Sequence, residues 1–126
     1  LCNAVGLNDF GETIKILTNL SESEKNKETY YISTLFSHIL RLGEYNRLRQ
    51  SGVSKDEALK TLSQNSFIWN LNSMDKQAQN FTPKQVKKAL TALSKTDSSL
   101  KKSSIDNKLI LELAMPFIMP KLNKTF

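Results

Sequence analysis

The sequence predicts an all-α protein, a single domain over residues 1–126 built as a bundle of five or six helices. Three observations carry that expectation. Apolar residues recur at three- and four-residue steps along several stretches, the spacing of one helix face. No stretch of useful length alternates with the period of two that a half-buried strand needs. Four Gly and three Pro leave little material for hairpin turns, which favours long uninterrupted elements. A chain of 126 residues is long enough to bury a core without staples, and too short for a comfortable second domain.

In "NAVGLNDFGETIKILTNL", Gly6 follows a short apolar segment and can close it. Asn8 or Asp9 then caps a helix reaching about Asn19, with Ile14, Leu17 and Leu20 on its apolar face. The charged, aperiodic "SESEKNKET" at 21–29 reads as an exposed loop. Over 30–50, Ile32, Leu35, Phe36, Ile39 and Gly43 recur at helical spacing and Ser51-Gly52 supplies the stop, which predicts a long core helix. In "GVSKDEALKTL", Ser54 and Glu57 have the spacing of a capping box, flanked by Val53 and Ala58 at the positions of a hydrophobic staple. A short helix is expected from Lys55 to near Gln64.

Phe67, Leu71, Met74, Ala78 and Phe81 then mark a helical stripe that leaves Trp69 aside. Thr82 is an N-cap, Pro83 takes the favoured first helical position and Gln85 completes a T-x-x-Q box, with Phe81 and Val86 as its staple. The last helix opens at Ser104 or Asp106 and runs to Pro116, which is expected to kink or end it.

Apolar residues make up 39% and charged ones 24%, ordinary for a globular chain and too apolar for a disordered one. The lone Cys2 excludes an internal disulfide framework and a zinc cluster, and fits a reducing compartment. No run of apolar residues is long enough to span a bilayer, and the first residues lack the order of a signal peptide. The chain opens on Leu1 without a Met, and is expected to be a piece, the C-terminal domain, of a longer polypeptide.

The net charge of +6 permits contact with nucleic acid without requiring it. The lysines of "FTPKQVKKALTALSKTDSSLKK" put that choice sharply. At about 100° per residue, Leu90, Leu93 and Leu100 fall near Val86, while Lys84, Lys88, Lys95 and Lys102 gather opposite. A packed helix with lysine stems in water accounts for the pattern. A phosphate-gripping face is the weaker alternative, because Arg and interleaved aromatics are missing from it. Asp97 falls within the leucine stripe and there needs a partner: Lys101 one turn on, a base on another helix, or a helix N-terminus. Its expected role is structural.

No phosphate-binding glycine loop, H-E-x-x-H, C-x-x-C or G-x-S-x-G occurs, and no cofactor is expected. His38 has no ligand or triad partner at a telling spacing and reads as a surface or boundary residue. Asp56-Glu57 sits in a first helical turn, where acids complement the dipole. "GVSKDEALKTLSQNSFIWNLNSMDKQ" superficially resembles a helix-turn-helix, but the segment beginning "FIWNLNSM" is too apolar and too poor in Arg to read bases. "LILELAMPFIM" is apolar nearly all round and too short for a membrane, so it is either core or half of an interface between subunits.

Taken in order, these landmarks resemble the C-terminal domain of the delta subunit of the bacterial DNA polymerase III clamp loader. "NAVGLNDFGETIKIL" is similar to that family's short apolar segment, glycine break and following helix. "TLFSHILRLGEYNRLRQSGVSKDEALKTL" is similar to its long helix, glycine stop and short helix. "FIWNLNSMDKQAQNFTPKQVKKALTALSKTDSSLKK" resembles a helix ending in Phe, a capped helix of paired leucines and a late Asp before Leu-Lys, here Asp97, Leu100 and Lys101. "IDNKLILELAM" resembles the closing helix with its internal Glu, here Glu112. The sequence departs from the family pattern at Lys102-Ser103, where a Gly is usual, and at Ser66-Phe67 in place of a Pro-aromatic step.

The resemblance implies a helical collar domain that packs against the collars of sibling clamp-loader subunits in a five-membered ring, in the cytoplasm. It implies assembly rather than chemistry: delta subunits lack a working ATPase site, and the DNA-directed DNA polymerase activity belongs to the holoenzyme. The sliding clamp and DNA would be met only through the full-length protein or complex. Leu109, Leu111 and Phe117 are the expected subunit-interface residues, Asp97, Lys101 and Glu112 structural polar residues, and Lys84, Lys88 and Lys95 candidate phosphate contacts. The rival expectation is a stand-alone helical DNA-binding module using the basic face.

Overall fold

Capping chemistry sets four of the helix ends. In the computed structural model the described residues are 1–19, 28–65, 71–102 and 107–120. Among them the helices are α1 (Cys2–Gly6), α2 (Phe10–Thr18), α3 (Glu28–Gln50), α4 (Lys55–Asn65), α5 (Leu71–Gln79), α6 (Pro83–Lys102) and α7 (Asn107–Ile118), and there is no strand. The all-α expectation holds, with one more helix than the sequence indicated. The addition is α1, whose few residues lack the length for a periodic signal and are held by packing of Ala4 and Val5.

Asp9 is the cap of α2, its carboxylate accepting from the Glu12 amide at 3.0 Å. Ser54 Oγ accepts from the Glu57 amide and Thr82 Oγ1 from the Gln85 amide, each at 3.2 Å, which opens α4 and α6 at the expected residues. Helix α3 ends in a Schellman turn. Gly52 takes φ +96°, its amide donates to the Arg49 carbonyl at 3.2 Å, and the Val53 amide donates to the Leu48 carbonyl at 3.0 Å.

Three expected ends differ. Helix α3 opens at Glu28, taking in the last two residues of the stretch 21–29 expected as loop. Helix α7 runs through Pro116 to Ile118, and the Met119 amide still donates to the Met115 carbonyl at 2.9 Å. Burial of Ile118 and Met119 holds the helix past its proline. Helix α5 stops at Gln79, two residues before Phe81, which is nonetheless fully buried. Asn46 of α3 accounts for that stop: its Nδ2 donates to the carbonyls of Ala78 at 2.9 Å and Phe81 at 2.6 Å, groups a longer α5 would have claimed. Phe67, Trp69, Leu20 and the 21–27 part of the expected loop lie outside the described residues.

Helix α3 is the axis of the bundle, touching α1, α4, α5, α6 and α7, while α6 also packs along α7 and α2 rests on α7. Leu35, Ile39, Leu42 and Tyr45 of α3 meet Ala89 and Leu93 of α6, Leu111 and Met115 of α7, and Phe81 in one continuous core. Each buried Leu, Ile, Met or Phe side chain there contributes about 1.5–3 kcal/mol of transfer free energy. Gly43 lets α6 approach closely, since a Cβ at that position would lie 3.1 Å from Val86 Cγ1.

Candidate functional site

Helix α7 is apolar on two opposite sides. Leu111, Met115, Ile118 and Met119 face the core. Leu109, Leu113 and Phe117, at successive steps of four, lie about 145–225° around the helix from the centre of that face and stand 44%, 63% and 63% exposed. A lone helix of a monomer keeps its outward side polar, so a second apolar line is the anomaly of this surface. The expectation for Leu111 is therefore corrected: it is 0% exposed and locked in the core, and the outward residue of that turn is Leu113. Apolar residues all round left the two faces unseparated in the sequence, and counting in fours from Leu109 to Phe117 picks out Leu113. Glu112 lies half-buried between the two faces.

On α6 the buried line is Ala89, Leu93 and Thr96, centred about 50° from Val86, so the leucine stripe is rotated relative to the sequence expectation. Asp97 consequently lies at the edge of the buried face with its side chain 33% exposed, and its partner is Lys101, whose Nζ lies 3.0 Å from Asp97 Oδ2. An exposed pair of this kind contributes only about 0.3–0.5 kcal/mol. It borders a hollow with Phe36 and Leu93, on the side of α6 away from most of its lysines.

Lys84, Lys88 and Lys95 do converge. Together with Lys87 they rim a groove of about 660 Å³ between α6 and α7, whose walls include Ala92, Ala114 and Phe117. Positive charge and exposed apolar surface thus meet at one place.

A second polar centre carries no signal in the sequence. Gln77 of α5 is 1% exposed, and its side-chain amide is fully engaged. Its Nε2 donates to Ser73 Oγ at 2.8 Å and to Asn3 Oδ1 at 3.1 Å, and its Oε1 accepts from His38 Nε2 at 2.6 Å. The acceptor requires the His38 proton on Nε2. His38, expected as a surface or boundary residue, is half-buried, and burial pushes its pKa below the ordinary 6.5. Gly6 packs so closely here that a Cβ would lie 1.9 Å from Gln77 Oε1, and Asn80 Nδ2 donates to the Gly6 carbonyl at 3.0 Å. Ser73 excepted, the partners lie 39 and 74 residues apart, beyond any local pattern. Nearby, the Tyr45 hydroxyl donates to Asp75 Oδ1, and burial and that bond push its pKa up to about 12.

Among the described residues no three of His, Cys, Asp and Glu come together to hold a metal ion, and no helix is long and apolar enough to cross a membrane. The polar clusters join helices to one another. A family model described as "DNA polymerase III delta subunit, C-terminal domain" matches residues 1–117. No curated protein and no solved structure matches the chain.

Proposed function

The chain belongs to the family formed by the C-terminal domains of DNA polymerase III delta subunits, and from that premise we propose that it is a collar domain, joining its subunit to neighbouring subunits of the clamp loader. One observation carries the choice of surface: the outward line of Leu109, Leu113 and Phe117 on a helix whose other side is already core. Burial of such a line between collars would supply the apolar centre that a stable contact between subunits needs. The domain in this reading contributes assembly and no chemistry, and reaches the sliding clamp and DNA through the rest of the complex.

Association with partner clamp-loader collars, followed by sedimentation, tests this. Leu109→Asp with Leu113→Asp should weaken association by at least tenfold while the helical circular-dichroism signal stays intact. Unchanged association with an intact fold would sink the proposal. The rival reading, a DNA-binding module, draws on the convergence of Lys84, Lys87, Lys88 and Lys95. It predicts duplex affinity that falls steeply with salt and with neutralisation of those lysines.

A further inference from the structure

The groove between α6 and α7 combines two properties that single out a class of occupant. Ala92, Ala114 and Phe117 give its lining an apolar floor together with the carbon stems of Thr91 and Thr96, and four exposed lysines, Lys84, Lys87, Lys88 and Lys95, border it. No acid is among its described lining residues. The two helices run antiparallel: Lys84, near the start of α6, shares the groove with Phe117, near the end of α7. Two adjacent antiparallel helices leave a furrow into which the side-chain ridge of a third helix fits. The groove's volume, about 660 Å³, lies within the range of built binding clefts.

We propose that this groove receives an acidic amphipathic helix from a partner protein. The helix lays its apolar face on Ala92, Ala114 and Phe117, and its flanking carboxylates meet the four lysines. This rests on the reading of the α7 surface as a site of protein contact and adds the chemistry of what binds there. A nucleic-acid backbone fits less well, because phosphates and sugars would gain nothing from the apolar floor and would leave Phe117 in water. An apolar helix without acids fits less well too, since it would crowd four ammonium groups around itself with no counter-charge. Lysine, a mobile point charge on a long stem, suits a rim that follows carboxylates along a helix, whereas bidentate reading of phosphates favours Arg.

The test uses the 126-residue chain and a synthetic helical peptide with leucines along one face and glutamates elsewhere, followed by fluorescence anisotropy. The expected result is salt-sensitive binding that drops about tenfold on Lys88→Glu with Lys95→Glu, and about fivefold on Phe117→Ala. Those three side chains are exposed, so the substitutions leave the core untouched. A peptide with Gln in place of every Glu should bind at least tenfold more weakly. Equal affinity for the two peptides, or an affinity indifferent to the lysine reversals, would overturn the proposal. So would displacement of the peptide by duplex DNA at a lower concentration than unlabelled peptide needs, which would give the lysines to nucleic acid. Leu109 and Leu113 lie outside the groove lining, so their effect on collar association reports separately on the assembly reading. Loss of peptide binding with intact association, or the reverse, tells the two apart.

Discussion

At the scale of single residues, the buried amide of Gln77 governs a junction that few other side chains could make. A Cβ on Gly6 would drive Gln77 Oε1 from its place and break the bonds to His38, Ser73 and Asn3. Gly6→Ala should therefore cost about 1–3 kcal/mol, the penalty for leaving buried polar groups unpaired, read as a fall in thermal midpoint. His38 gives the same junction a pH dependence. Its folded pKa lies below 6.5, chiefly through burial and despite its bond to Gln77. The unfolded chain therefore takes up a proton first as pH falls. The stability this group contributes is fully present above about pH 6.5 and is lost as pH drops toward the folded value. Thermal melts between neutral and acid pH should show a decline that His38→Gln, which keeps a donor toward Gln77, makes shallower. Tyr45 works in the opposite range: its contribution is complete below pH 10 and lost as pH climbs toward about 12.

At the scale of elements, ends proved more legible than faces. Thr82-Pro83 and Ser54 state their helix starts in local chemistry, and Gly52 states the end of α3, because a positive φ excludes most other residues. Gly52→Ala should cost about 1 kcal/mol by chemical denaturation, although a Cβ there would meet nothing within 4 Å. Failure to destabilise would show that the turn, not the residue, sets the stop. Faces were harder to read, for two reasons. On α6, residues at the boundary between stripe and rim, such as Asp97, are assigned by which way the neighbouring helices rotate it, and Ala89 and Thr96 pack inward without being large or strongly apolar. On α7, both sides satisfy an apolar pattern, so Leu111 and Leu113 exchange roles without any change in composition. The end of α5 was hidden for a third reason, since Asn46, which takes the carbonyls of Ala78 and Phe81, belongs to a helix more than thirty residues away. The lysine rim, by contrast, was visible as a helical face, and only its apolar floor needed α7 to be seen.

At the scale of the whole molecule, the family and the all-α architecture follow from the order of the landmarks, while the surfaces follow from how α3, α6 and α7 pack. Most neighbours in this bundle are close in sequence or joined through α3; α2 against α7 is one exception, and α1 is another, tied to α5 and the residue after it by bonds from Gln77 to Asn3 and from Asn80 to Gly6 that close 74 residues of chain. Closing so long a loop costs entropy before any contact repays it, so these bonds are expected to form after the central helices have met. Stopped-flow measurements should find that Asn80→Ala quickens unfolding severalfold while refolding keeps its rate, the signature of a contact absent from the transition state. A slower refolding limb would mean instead that α1 docks early. With late docking, the first helix acts as a latch: it leaves the trajectory of collapse to the rest of the chain, and lengthens the lifetime of the finished fold.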